Sequence, residues 1–161
     1  NKIRAGKKVN RPNAKFISKN IYLRVKDNHL RMGPVVIGCD TSGSILQPEL
    51  SAFNAHVDRI NDTCNPESVT VIYCDAEVNH VDVFEPEDFP VRLSPHGGGG
   101  TAFDPVFDYI DEHKLDPEVV VYLTAGYGNQ NDFTSKHETV WLTTGSTDFA
   151  WGTVIEFDIS A

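Results

Sequence analysis

No apolar run in this 161-residue chain approaches the ~20 residues that a helix needs to cross a bilayer. The opening NKIRAGKK also lacks the apolar segment of a secretory signal. A soluble, cytoplasmic protein is the expectation. Cysteine is scarce: Cys39, Cys64 and Cys74 are odd in number and have no metal-type spacing, so neither a disulfide framework nor a zinc knuckle is expected. Catalytic signatures are missing too. There is no Gly-x-Ser-x-Gly elbow, no His-Glu-x-x-His and no Cys-x-x-Cys, and the glycines at 97–100 are not followed by the Lys-Ser/Thr of a phosphate-binding loop. The six histidines are scattered, and nothing joins a nucleophile to a base.

Basic residues are nearly absent beyond position 31. Residues 1–31 hold ten Lys or Arg against Asp27 alone, 10 − 1 = +9, so the remainder carries 4 − 22 = −18 within a net charge of −9. Such a basic arm on an acidic body can bind nucleic acid, dock on its own body or link to a neighbour. Only Phe16 and Tyr22 are available to stack on bases, so nucleic acid is not the expected partner. The missing initiator Met and the abrupt basic start suggest a piece of a longer protein. Apolar content of 40% and aromatic content of 10% suit one globular domain. We divide the chain into an arm over 1–33, with a short edge strand near Asn20–Val25, and a domain over 34–161.

Within that domain, Val35–Asp40 reads as a strand buried on both faces. Leu50, Phe53, Val57 and Ile60 recur at helical spacing behind Pro48 and predict a helix over about 48–63. Val69–Cys74 and Val78–Phe84 predict two adjacent strands or a hairpin, the second alternating as an edge strand does. Phe103, Val106, Phe107 and Ile110 predict a second helix ending near Lys114. Val119–Thr124, Val140–Thr143 and Gly152–Phe157 supply three more strands. The pattern is α/β, with a mostly parallel central sheet, one antiparallel edge and flanking helices.

Asp40-Thr-Ser-Gly-Ser44 follows the first strand, where ligands gather in open α/β sheets. Asp40, Ser42 and Ser44 alternate, so their oxygens can converge, and Thr101 opens the next helix at the same sheet edge. One carboxylate with hydroxyls and waters is an oxygen-only set suited to Mg²⁺ or Mn²⁺, with an open position for a partner's carboxylate. The alternative is structural. Ser44-Ile-Leu-Gln47 and Thr101-Ala-Phe-Asp104 both fit capping boxes, in which the hydroxyls only start helices.

The combination of Asp40-Thr-Ser-Gly-Ser44 with Thr101 resembles the metal-ion-dependent adhesion site of von Willebrand factor A (VWA) domains. A fuller resemblance is to a VWA-like family found as the C-terminal half of metallopeptidase-like bacterial and phage proteins. It runs through RPNAKF, IYL, VVIGCDTSGSI, CDAEV, GGGGT-x-F, VVYLT-x-GYGN, VWLTTG and WGTVIEFD, from Arg11 to the end. The resemblance implies a Rossmann-like, VWA-type fold and metal-dependent protein binding, with Asp40, Ser42, Ser44 and Thr101 as metal ligands. It further implies a MoxR-type AAA+ ATPase as a partner and an N-terminal peptidase-like domain in the full-length protein. Two positions depart from the pattern. Ala125 and Ala102 stand where the family usually has Asp, which weakens Mg²⁺ or Mn²⁺ affinity or abolishes it. Asp75 is a further candidate ligand, although capping a turn is the commoner role for such a residue.

The resulting expectation is a non-enzymatic binding module with a degenerate metal site. A second reading makes the chain the substrate-positioning part of a peptidase whose catalytic domain lies elsewhere. A third, phosphoryl transfer from Asp40, is disfavoured because Ser42 stands where a second acidic residue is needed.

Overall fold

The computed structural model describes residues 32–43, 45–90, 92–94, 97–128 and 133–157. The expected strand over 20–25 lies outside them, as does Ser44. Strand β1 (Val35–Asp40) leads to helix α1 (Gln47–Cys64), then β2 (Val69–Cys74) and β3 (Val78–Phe84). A single 3₁₀ turn (Pro86–Asp88) and helix α2 (Asp104–Glu112) come next, followed by β4 (Val119–Thr124), β5 (Thr139–Thr143) and β6 (Thr153–Glu156). The strands form one sheet in the order β3-β2-β1-β4-β5-β6, in which all neighbours are parallel except the hairpin pair β2 and β3. The α/β class, the antiparallel edge and every expected strand from Val35 onward are therefore present.

Strand periodicity explains the two-sided core. Successive side chains leave a strand on opposite faces, so Val35, Ile37 and Cys39 of β1 join Val119, Val121 and Leu123 of β4 on one face. Leu50, Phe53, Val57 and Ile60 of α1 cover that face. Each such side chain contributes roughly 1.5–3 kcal/mol by leaving water. On the other face Val36, Val120 and Tyr122 meet Val106, Phe107 and Ile110 of α2, with Phe103, Trp141 and Phe149 beside them. Gly38 makes this second layer possible, because a side-chain carbon there would lie 2.9 Å from two ring atoms of Tyr122.

Both helices start later than capping boxes at Ser44 and Thr101 would have them. Leu46 occupies the cap position of α1, where its N–H donates to the Glu49 carboxylate at 3.1 Å. Phe103 precedes α2, with Pro105 in the first turn. The capping reading thus fails on position for Thr101, which stands two residues before the cap of α2, while Ser44 lies outside the described residues. α1 ends at Asn65, whose left-handed φ of 48° closes the helix through an N–H bond to Asn61 O at 3.1 Å.

Candidate functional site

Strand order reverses between β1 and β4, the place where open α/β sheets leave a crevice at their carboxyl ends. Asp40 ends β1 there, 2% exposed. Its Oδ1 accepts the N–H of Ser42 at 2.8 Å, and its Oδ2 accepts the hydroxyl of Thr124 at 2.6 Å. The Thr124 oxygen in turn accepts the N–H of Gly126 at 2.9 Å. Thr124 therefore bridges the switch point, tying the first loop's carboxylate to the third loop's backbone. Sequence reasoning did not single it out. Its signal was its place as the last residue of a buried strand entering a Gly-rich turn.

The second loop carries the glycines. Gly43 N–H donates to Gly99 O at 3.1 Å, and Ala102 N–H donates to Asp75 O at 2.9 Å. Asp75, at the carboxyl end of β2, accepts Glu77 N–H on Oδ1 at 3.2 Å and Gly99 N–H on Oδ2 at 3.1 Å. Desolvation pushes its pKa upward, but the Asn79 amide and the N–H groups of Glu77, Gly99 and Ala76 outweigh that and hold it at about 2. Phe103 fastens the far end of the loop, buried at 5.1 Å from the Tyr122 ring centroid and 5.2 Å from that of Trp141. Thr101 reaches the third loop: its Cγ2 lies 2.8 Å from where a side-chain carbon on Gly128 would sit.

The third loop is tied to the end of β5, with Thr144 N–H on Thr124 O at 3.1 Å and Ser146 N–H on Ala125 O at 2.9 Å. Ala125 is buried and Ala102 half-buried. The structure thus gathers Asp40, Ser42, Thr101, Ala102 and Ala125 onto three interlocked loops, while Asp75 stands beside them at the end of β2. Ser44 lies outside the described residues. Thr41, 6% exposed, has a hydroxyl with no hydrogen-bond partner among the described residues.

A divalent cation needs several anionic or neutral oxygens in an octahedral array. Here one buried carboxylate is present, each of its oxygens accepts one bond from a protein donor, and positions 102 and 125 hold Ala. Among the described residues no group of three or more His, Cys, Asp or Glu is placed to hold a metal. Of the four expected ligands, Asp40, Ser42 and Thr101 are described, and Asp40 is the one carboxylate among them. Among the described residues, no helix is long and apolar enough to cross a membrane.

No curated protein matches the chain. A family model described as "VWA-like domain (DUF2201)" matches residues 35–158, from the first residue of β1 to just beyond β6. With the sheet order, the two helix layers and the matched span in agreement, this chain belongs to the VWA-like domain (DUF2201) family.

Proposed function

We propose that this chain is a non-catalytic protein-binding module. Its recognition face is the carboxyl edge of the sheet around Asp40, Ser42, Ser44, Thr101 and Ala125, and its metal site is degenerate. The observation that carries the reading is the Asp40–Thr124–Gly126 relay, which holds a buried carboxylate at the switch point beneath three loops. Three large apolar side chains are exposed among the described residues; Leu46 at 61% and Tyr127 at 68% flank this edge, and Val83 lies on β3. In a longer protein the module would follow a peptidase-like domain and meet a MoxR-type AAA+ ATPase, in the cytoplasm.

Mg²⁺ or Mn²⁺, where bound, would be held by Asp40 with the hydroxyls of Ser42, Ser44 and Thr101, and would offer an open position to an acidic side chain of the partner. Calorimetric titration with Mn²⁺ tests the degeneracy. The chain itself should give no heat at millimolar metal, whereas a version carrying Ala102→Asp and Ala125→Asp should bind. Absence of binding in both would sink the metal-site ancestry. Substituting Ser42 and Thr101 by Ala should lower partner affinity by about tenfold or more, on the scale of interface residues that matter. Unchanged affinity would move the recognition face elsewhere.

A further inference from the structure

The glycine segment 97–100 should be hard to keep in one conformation. Ordering a residue's backbone costs roughly 1–2 kcal/mol, glycine sits at the expensive end, and no side chain of the segment can anchor it. Its described restraints come from outside, and the side chain among them is that of Asp75. Asp75 Oδ2 takes Gly99 N–H at 3.1 Å, while Asp75 O takes Ala102 N–H at 2.9 Å, so one residue grips both sides of Thr101. Gly99 O, held from that side, receives Gly43 N–H from the first loop at 3.1 Å. Gly97 lies against the same group. At φ +120° a side-chain carbon on it would fall 2.6 Å from Asn79 Nδ2, 2.9 Å from Asp75 Oδ2 and 2.9 Å from Thr41 Oγ1. The segment is packed onto Asp75 as well as bonded to it.

We infer that Asp75 is the positioning residue of this site, a latch that closes the glycine loop onto the first loop and so sets Thr101 against Gly128. A carboxylate whose two oxygens serve backbone donors on either side is built to hold chain, and it is poorly placed to replace the carboxylates missing at 102 and 125. The importance of the latch rests on the recognition-face reading above, but its test uses neither metal nor partner.

The experiment is NMR on the full chain. The Thr101 methyl group should show a nuclear Overhauser contact with Gly128, because Cγ2 occupies space within 2.8 Å of where a side-chain carbon on Gly128 would sit. Asp75→Ala should abolish that contact and speed amide exchange at Gly99 by about tenfold or more, with a smaller rise at Ala102, whose main-chain acceptor is retained, while Ile37 and Val121 in the central strands keep their protection. Asp75→Asn retains an acceptor oxygen and should keep the contact, with exchange at Gly99 rising by only a few-fold. If Asp75→Ala does not fold, the Asn variant decides, because a rise confined to Gly99 is the latch signature. Parent-like exchange in the foldable variants, or a Thr101–Gly128 contact that survives Asp75→Ala, overturns the proposal.

Discussion

Asp40 is a buried carboxylate satisfied by neutral donors, so each donor carries an unusual share of its cost. Hydrogen bonds to charged groups contribute roughly 1.5–3 kcal/mol, and a buried acceptor left bare loses at least that. Thr124→Val keeps shape and removes the hydroxyl, leaving both Asp40 Oδ2 and Gly126 N–H unpaired. It should lower unfolding free energy by about 2–4 kcal/mol in urea titration. His56 presents the opposite case. Burial, with a smaller push from the Arg59 charge, lowers its pKa from 6.5 to about 4, and its Nδ1 has no partner among the described residues while the ring packs edge-on to Phe157 at 4.5 Å. Between those two values the unfolded chain binds a proton that the folded chain refuses. Stability from this group is therefore full above pH 6.5 and falls as pH drops toward 4. His56→Leu should flatten that slope, removing roughly 2–3 kcal/mol of the difference between pH 7 and pH 4; an unchanged slope would place the titration elsewhere.

At the scale of elements, the two helices show what local pattern can and cannot specify. Their apolar spacing was plain, since Leu50, Phe53, Val57 and Ile60 lie on one stripe. Their starts were not. Ser44-x-x-Gln47 and Thr101-x-x-Asp104 satisfy a capping pattern, yet the helices begin at Gln47 and Asp104, with Leu46 and Phe103 in the cap positions. Phe103 is buried among Tyr122, Trp141 and Phe149, and that packing sets the start of α2. Sheet and helix layers also meet tightly at Gly38. Gly38→Ala should cost about 1–3 kcal/mol by overpacking against Tyr122, and Tyr122→Leu in the same chain should recover part of it. Thermal unfolding of the two single variants and the double variant measures the coupling; strictly additive losses would mean that the ring is not what Gly38 accommodates.

Across the whole molecule, charge is the unbalanced quantity. A body carrying −18 repels itself, and the +9 arm offsets half of that. Shortening the chain to begin at Met32 should therefore leave a domain whose melting temperature rises by several degrees as NaCl goes from about 20 to about 300 mM, because the screening length falls from roughly 20 Å to under 10 Å. The intact chain should respond less. Equal responses would mean that the arm does not offset the body's field.

Composition, period and strand-end chemistry determined the class of this protein. Doubly buried strands read as apolar runs because both faces are covered, and Asp40 stood out because a carboxylate follows such a run. Those signals are local, so one sequence sufficed for the strands from Val35 onward and for the first loop. Residue chemistry also placed Thr101 at the same sheet edge, and the resemblance added the metal-site roles and the two Ala departures. Tertiary structure alone decided which groups meet. Thr124 lies 84 residues from Asp40 in sequence, and Gly99 lies 24 from Asp75. No local period encodes such pairs, because strand order, which sets β4 beside β1 and β2 on its other side, is fixed by how helices cover both faces of the sheet. The sequence named the ingredients of the site, and packing chose which hydroxyl holds the carboxylate and which carboxylate holds the loop.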